Sequence, residues 1–106
     1  LRLIDERRYF NNDLLWKHIG MKVQATQPGS FLVESVERAG PAARADIRAG
    51  MMITEIDGQR VDSLVQLART TFTKGRGESL TLRLVWGERR GLVVYRSEGE
   101  AKVQIR

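Results

Sequence analysis

Residues 29–67 read GSFLVESVERAGPAARADIRAGMMITEIDGQRVDSLVQL. Two apolar runs in it, 31–37 and 51–56, are typical of strands. Between them, a proline followed by alanines predicts one or two turns of helix over 41–47, since proline is accepted in the first helical turn. The stretch therefore predicts strands joined by a short helix, followed by a further element that begins near residue 63.

The rest of the chain extends this pattern. A strand is predicted over 18–24, before the central stretch, and a tight turn at Asp57-Gly58 within it. The chain then continues with a helix over 63–72, a strand over 79–86, and a last hairpin of 92–96 and 101–106 around SEGE. Short antiparallel strands with two helices indicate an α+β fold, a small, partly open antiparallel β-barrel or sandwich capped by two helices. We expect residues 1–15 to be a lead-in linker or short helix and residues 16–106 to form the domain.

Composition limits the function classes. The chain has 106 residues, enough for one domain, with 42% hydrophobic and 29% charged residues. Its net charge of +5 invites a nucleic-acid interpretation, but the basic residues are scattered, and no aromatic-interleaved basic stripe accompanies them. No apolar run approaches the ~18 residues that span a bilayer, so we expect no membrane insertion by these residues. The chain opens directly into LRLIDERRYF without Met, and we expect it to be part of a longer protein.

The sequence offers few residues for a catalytic site. The chain has no Cys, which removes disulfides, thiolate nucleophiles and Cys-based zinc sites, and it has one His. No Gly-x-Ser-x-Gly elbow is present. We therefore expect a non-catalytic domain with no metal and no cofactor.

Gly20 raises a separate question, because it lies in the predicted strand 18–24 between Ile19 and Met21. Glycine weakens a strand and is usually found where something approaches the backbone closely. A simple β-bulge is the alternative interpretation.

The central stretch closely resembles a PDZ domain. The residues that carry the resemblance are Gly40-Pro41-Ala42-Ala43-x-Ala45, then Gly50, Ile53-x-x-Ile56-Asp57-Gly58, Val61 and Ser63, preceded by the apolar-Gly-apolar loop of residues 18–21. The strand order looks like that of bacterial PDZ domains of HtrA-type serine proteases, and the resemblance covers about residues 16–96. Two positions depart from the family pattern: Asp46 stands where Gly is common, and Met51 where Asp is common.

The resemblance implies a module that recognises protein C-termini by β-strand addition. Its carboxylate-binding loop would be formed by the amides of Ile19, Gly20 and Met21, with Lys17 beside it. The peptide would pair with Lys22, Val23 and Gln24. Its last side chain would enter a pocket formed by Leu64, Ala68 and Thr71.

The implied partners are C-terminal peptides of proteins and the protease domain of a parent chain, with no nucleic acid. The module would select substrates for, or regulate, a larger bacterial serine protease, and the resemblance favours a periplasmic or extracytoplasmic location. Two alternatives stay open. One is a PDZ-like scaffold whose groove is filled by its own chain, through residues 1–15 or the C-terminal hairpin. The other is a basic anion- or nucleic-acid-binding module.

Overall fold

The computed structural model describes residues 6–106. The strands are β1 Met21–Gln27, β2 Ser30–Val36, β3 Met52–Ile56, β4 Gln59–Arg60, β5 Ser79–Arg90 and β6 Val93–Gln104. The helices are α1 Asn12–Ile19, α2 Pro41–Arg44 and α3 Leu64–Thr73, and a 3₁₀ turn at Glu6–Arg8 precedes them. Residues 1–5 of the predicted lead-in lie outside the described part of the chain, and α1 runs across the domain boundary expected at residue 16.

The strands form one open antiparallel sheet. Its order is β1-β2-β3-β5-β6, with the short β4 paired to β3, so β1 and β6 are the edge strands. The predicted α+β class with an unclosed antiparallel sheet is confirmed, although α1 adds a helix to the two that were expected. Within residues 6–106, no helix is long and apolar enough to cross a membrane.

The core lies between the sheet and its helices. The alternation predicted for residues 79–86 is present, because Leu80, Leu82 and Leu84 of β5 are all buried. They pack in one apolar cluster with side chains from every helix, including Leu15 of α1 and Leu67 of α3. Helices of 4 to 10 residues are marginal on their own, so this shared core holds them in place.

The strand predicted over 18–24 begins later than expected, because residues 12–19 are helical. Asn11 caps α1 by accepting hydrogen bonds from the amides of residues 13 and 14, and Leu15 and Ile19 bury one face. Gly20 ends the helix in the left-handed region, with φ 70° and ψ 43°. Gly20 therefore ends α1 directly before β1 and does not lie inside a strand.

The last hairpin also differs from the prediction. The turn is Gly91-Leu92, and the SEGE residues that were expected to turn lie inside β6. Arg83 of β5 compensates their charge by forming ion pairs with Glu98 and Glu100 across the strands. The Trp86 ring lies over Gly99, where an added Cβ would meet Trp86 Cη2 at 3.0 Å. Cross-strand partners thus keep a polar, glycine-containing segment in the sheet.

Asp57 ties three elements together at the turn after β3. Its carboxylate accepts a hydrogen bond from the Thr81 amide at 2.9 Å and pairs with Lys74 Nζ at 2.8 Å. Partial burial raises the pKa of this carboxyl. The hydrogen bonds from Lys74 and Thr81 and the charge of Lys74 together lower it by more, so the pKa lies below its ordinary value of 3.8. Asp57 therefore binds its proton more weakly in the folded than in the unfolded chain.

This predicts a contribution of Asp57 to acid sensitivity. The stabilisation is complete above the ordinary pKa of about 4 and is lost as the pH falls through the lower folded value. Asp57→Asn should cost about 1 kcal/mol of unfolding free energy at pH 7 and should flatten the decline between pH 5 and pH 3. Denaturant titrations across this range measure both effects.

Asp46→Asn is the matched control, since Asp46 is exposed and has a similar left-handed backbone, with φ 64° against 50° for Asp57. If the two variants give the same pH profile, the assignment to Asp57 is wrong.

Candidate functional site

The candidate site is the open edge of β1 beside α3. β1 pairs only with β2, and α3 packs against both β1 and α1. The Gly20 carbonyl accepts the Glu37 amide at 2.8 Å, so it points toward β2. Because backbone groups alternate along a strand, the peptide groups of Met21, Val23 and Ala25 then face the open edge. Of the predicted strand-pairing residues, Val23 thus presents its backbone groups at the open edge, whereas Lys22 and Gln24 present theirs to β2. Pairing with a peptide stays a prediction.

Asn12 already occupies part of this edge. Its side-chain Nδ2 donates to the Val23 carbonyl at 2.9 Å, and its Oδ1 accepts from the Val23 amide, also at 2.9 Å. A carboxamide has the same donor and acceptor as a peptide group. Asn12 thus makes with Val23 the pair of hydrogen bonds that one residue of an added antiparallel strand would make. Sequence reasoning missed this role, because the two residues are 11 positions apart and no local pattern joins them.

The backbone of Gly20 is committed to α1 in this conformation. Its amide donates to the Leu15 carbonyl at 3.1 Å and to the Trp16 carbonyl at 3.0 Å, which closes the end of the helix. Ile19 belongs to the last helical turn. The Gly20 amide is therefore not free for an anion while α1 is intact, and the anion-binding nest that the resemblance implied from Ile19, Gly20 and Met21 stays a prediction.

Close packing explains why residue 20 is glycine. A Cβ added there would lie 3.0 Å from Glu37 Oε2, 3.2 Å from Glu37 Cβ and 3.4 Å from Pro41 Cδ. The groups that approach the Gly20 backbone are thus Glu37 and Pro41.

Arg106 holds the C-terminal end of α1. Its amide donates to the His18 carbonyl at 3.0 Å, and its guanidinium donates to the carbonyls of Lys17 and Trp16, both at 2.9 Å. The guanidinium also pairs with the Glu37 carboxylate. A cation at this end complements the negative pole of the helix, whereas a second carboxylate would be repelled by that pole and by Glu37. The end of α1 is therefore unsuited to a peptide carboxylate as long as α1 is docked.

Lysine and glutamine side chains near the loop point elsewhere. The Lys17 side chain is exposed. Lys22 Nζ lies 5.3 Å from the centroid of the Trp16 ring, a cation–π contact, and Gln24 is exposed on β1. Lys17 and Lys22 supply positive charge near Gly20, although the structure gives neither of them a carboxylate partner among the described residues.

The predicted pocket residues lie on the covered face of α3. Ala68 and Thr71 are completely buried, and Leu64 is half-buried against the core. The Thr71 hydroxyl donates to the Leu67 carbonyl one turn earlier at 2.9 Å, so its polar group is satisfied within the helix. With α1 in place this face belongs to the core, and its service as a ligand pocket stays a prediction.

The segment before α1 covers the neighbouring face of α3. The Phe10 ring meets the Phe72 ring edge-to-face with centroids 5.9 Å apart. The Arg69 guanidinium lies 5.5 Å from the Phe10 centroid and pairs with Glu6. Phe72 is 58% exposed, and its ring packs against Phe10. Residues 6–12 thus lie along α3 and reach β1 through Asn12.

Comparison with known families fits this arrangement of edge strand and helix. The sequence model of the family described as PDZ domain matches residues 16–85, well over half of the chain. The chain belongs to the PDZ family. Members of this family are binding modules that add an extended peptide to a sheet edge, rather than catalytic domains.

Relatives of this PDZ domain come from proteases. A probable periplasmic serine endoprotease, DegP-like, of Halomonas elongata is 35% identical over 69 residues, which are 64% of this chain and 15% of that protein. An HtrA-type protease, AlgW, solved with a decapeptide, superposes with a TM-score of 0.66 at 20% identity over 84% of this chain and 28% of that one. The PDZ domain of a carboxy-terminal protease of Vibrio cholerae, in complex with a peptide, gives a TM-score of 0.52 at 18% identity over 84% and 95% of the two chains.

These matches confirm the resemblance to HtrA-type PDZ domains that the sequence predicted. The chain spans only 15% of the length of the DegP-like relative.

The packing at Gly20 generates a prediction about stability. Gly20→Ala should destabilise the fold by the cost of a left-handed alanine, about 1–2 kcal/mol, and further by the crowding against Glu37. Gly58→Ala is the matched control, because Gly58 has a similar φ of 79° but nothing within 4 Å of an added Cβ. Thermal melts of both variants should show the larger loss for Gly20→Ala. Equal losses would mean that Glu37 and Pro41 yield freely to the new methyl group.

Proposed function

We propose that this PDZ domain binds extended peptides by strand addition to β1, and that it selects substrates for, or regulates, a larger bacterial serine protease. The observation that carries the proposal is the edge strand β1, unpaired by any other strand on one side and lying against α3. The peptides in the two solved relatives and the protease context of all three relatives support it.

C-terminal recognition requires a change in α1. A peptide carboxylate held by Ile19, Gly20 and Met21 needs the Gly20 amide, which α1 uses, and a peptide strand needs the Val23 groups that Asn12 uses. One set of backbone groups cannot serve both partners at once. Peptide capture would therefore compete with these contacts, and in the described conformation Asn12 holds the Val23 part of the β1 edge.

This competition gives weight to the self-occupied groove as the second candidate function. The specific observation is the two-hydrogen-bond contact of Asn12 with Val23, supported by the Phe10–Phe72 contact. A permanently closed groove would make the domain a scaffold. A groove that opens would make the N-terminal segment a competitor that lowers peptide affinity.

The nucleic-acid alternative receives less support, because several arginines are already paired with carboxylates. Arg83 contacts Glu98 and Glu100, and Arg106 contacts Glu37. Their charge is largely compensated within the fold.

The first test is peptide titration. Peptides that end in an apolar residue, prepared as free acid and as amide, should bind in the micromolar range as free acids, about 7–8 kcal/mol, and at least tenfold more weakly as amides. The reason is that the amide loses a charge-assisted hydrogen bond, worth about 1.5–3 kcal/mol. Isothermal titration measures both. Equal binding of acid and amide would limit the function to strand addition without carboxylate recognition, and no binding by wild type or by the opened variant described next would overturn the peptide-binding proposal.

The second test opens the groove. Asn12→Ala removes two hydrogen bonds to Val23, each worth about 0.5–1.5 kcal/mol, and should raise free-acid peptide affinity about tenfold. Asn12→Asp keeps the acceptor but loses the donor, so an intermediate gain is expected. Gln104→Ala, an exposed change on β6, should leave affinity unchanged. If Asn12→Ala folds and binds as wild type does, the N-terminal segment is not a competitor.

A further inference from the structure

The β5–β6 hairpin extends beyond the rest of the sheet. β3 pairs with β5 only as far as Val85. The five cross-strand pairs that follow, from Trp86↔Ser97 to Arg90↔Val93, join β5 and β6 to each other alone. At about 3.4 Å per residue they form a two-stranded arm roughly 17 Å long. Its end is the two-residue turn Gly91-Leu92, with Gly91 at φ 63°.

The end of this arm, residues 91–95, is apolar and exposed. Four consecutive apolar side chains project there, with exposed fractions of 97% for Leu92, 51% for Val93, 66% for Val94 and 52% for Tyr95. Such an exposed run is not needed for folding, since none of its members belongs to the core cluster. Runs of this kind in soluble proteins usually serve an interaction.

The arrangement of these side chains indicates the shape of the partner. Side chains alternate between the two faces of a hairpin, so Val93 and Tyr95 lie on one face, Val94 on the other, and Leu92 at the turn. The apolar surface therefore surrounds the tip. A flat protein surface would cover one face and leave the other in water, whereas a fluid apolar medium can surround both.

Basic side chains follow directly behind the tip. Arg89, Arg90 and Arg96 stand in residues 86–97, where Glu88 is the one acid, so the arm carries 3 − 1 = +2 charges. Glu88 is itself engaged, with Arg90 Nη2 at 3.7 Å and the Ser97 hydroxyl at 3.1 Å. The Arg90 guanidinium lies 5.8 Å from the Tyr95 ring centroid. Apolar residues at the front, a tyrosine behind them and arginines next to it match the layers of a membrane with anionic headgroups.

We propose that the tip Gly91–Tyr95 inserts into the interface of an anionic lipid membrane and that the arginines contact the headgroup phosphates. Insertion by about 5–10 Å keeps the unpaired backbone groups on the outer edges of the two strands at the level of the hydrated headgroups, where water can satisfy them. The expectation of no membrane insertion rested on the lack of a spanning apolar run, which a shallow turn does not require. The inference goes beyond peptide binding, because the arm uses none of the groups at the β1 edge.

The first measurement exploits the absence of cysteine from the chain. Leu92→Cys labelled with an environment-sensitive dye should show a blue shift when vesicles of phosphatidylglycerol and phosphatidylcholine are added, and little shift with phosphatidylcholine alone. Arg38→Cys, an exposed position outside the arm, carries the same dye as control and should show none. A shift at both positions, or at neither, overturns the proposal.

Co-sedimentation of unlabelled protein with the same vesicles separates the two contributions. Leu92→Asn should lower the partition coefficient at least tenfold. The double variant Arg89→Gln with Arg90→Gln should lower the partition coefficient on anionic vesicles about 25-fold, because each arginine near the surface contributes a factor of about five. Arg38→Gln with Arg48→Gln removes the same net charge elsewhere and should have a much smaller effect. All of these positions are exposed, so melting temperatures should stay near wild type.

Two results overturn the membrane assignment. One is a failure of the wild-type protein to bind anionic vesicles. The other is a concentration-dependent dimer in the absence of lipid that Leu92→Asn abolishes while vesicle binding is unchanged, because the tip would then be a contact between two copies of this chain.

Discussion

The junction at Gly20 is the constraint on which the arrangement of the groove depends. One left-handed residue turns the chain from α1 into β1, and its amide and carbonyl serve the two elements in turn. Glu37 and Pro41 pack against it so closely that an added Cβ would lie within 3.0 to 3.4 Å of them. Because the direction of β1 and the position of α1 are fixed at the same residue, the open sheet edge and the segment that covers it cannot be placed independently.

The charges at the C-terminal end of α1 also disfavour a carboxylate ligand while α1 is docked. The C-terminal end of a helix is a poor place for an anion, and Arg106 and Glu37 already neutralise each other there. If a carboxylate binds here as proposed, the Gly20 amide must leave its partners in α1, so the affinity would depend on the balance between two alternative sets of hydrogen bonds. We expect substitutions at Asn12 and Phe10, which contact β1 and α3, to shift this balance.

The sequence predicted what local patterns encode. The proline-alanine helix, the Asp57-Gly58 turn, the capped helix α3 and the alternating face of β5 followed from residue types and spacing, and they were sufficient to identify the family. Gly20 was misassigned because a helix terminator and a glycine inside a strand look alike when apolar residues flank both. The roles of Asn12 and Arg106 depend on contacts over 11 and 90 positions, which no periodicity reveals. The same limitation affected β6, whose polar SEGE segment is held in the sheet by Arg83 and Trp86.

The capping of α1 by Arg106 also has a consequence for the order of folding. The helix has eight residues, too few to persist alone in water. The carbonyls of Lys17 and His18 in its last turn receive their hydrogen bonds from Arg106, which β6 must first bring into place. Contacts of such long range form late, after the β5–β6 pairing that brings position 106 into place. We therefore expect the cap of α1 to be completed last and to open before the rest of the sheet unfolds, while Leu15 and Ile19 still hold the helix on the core.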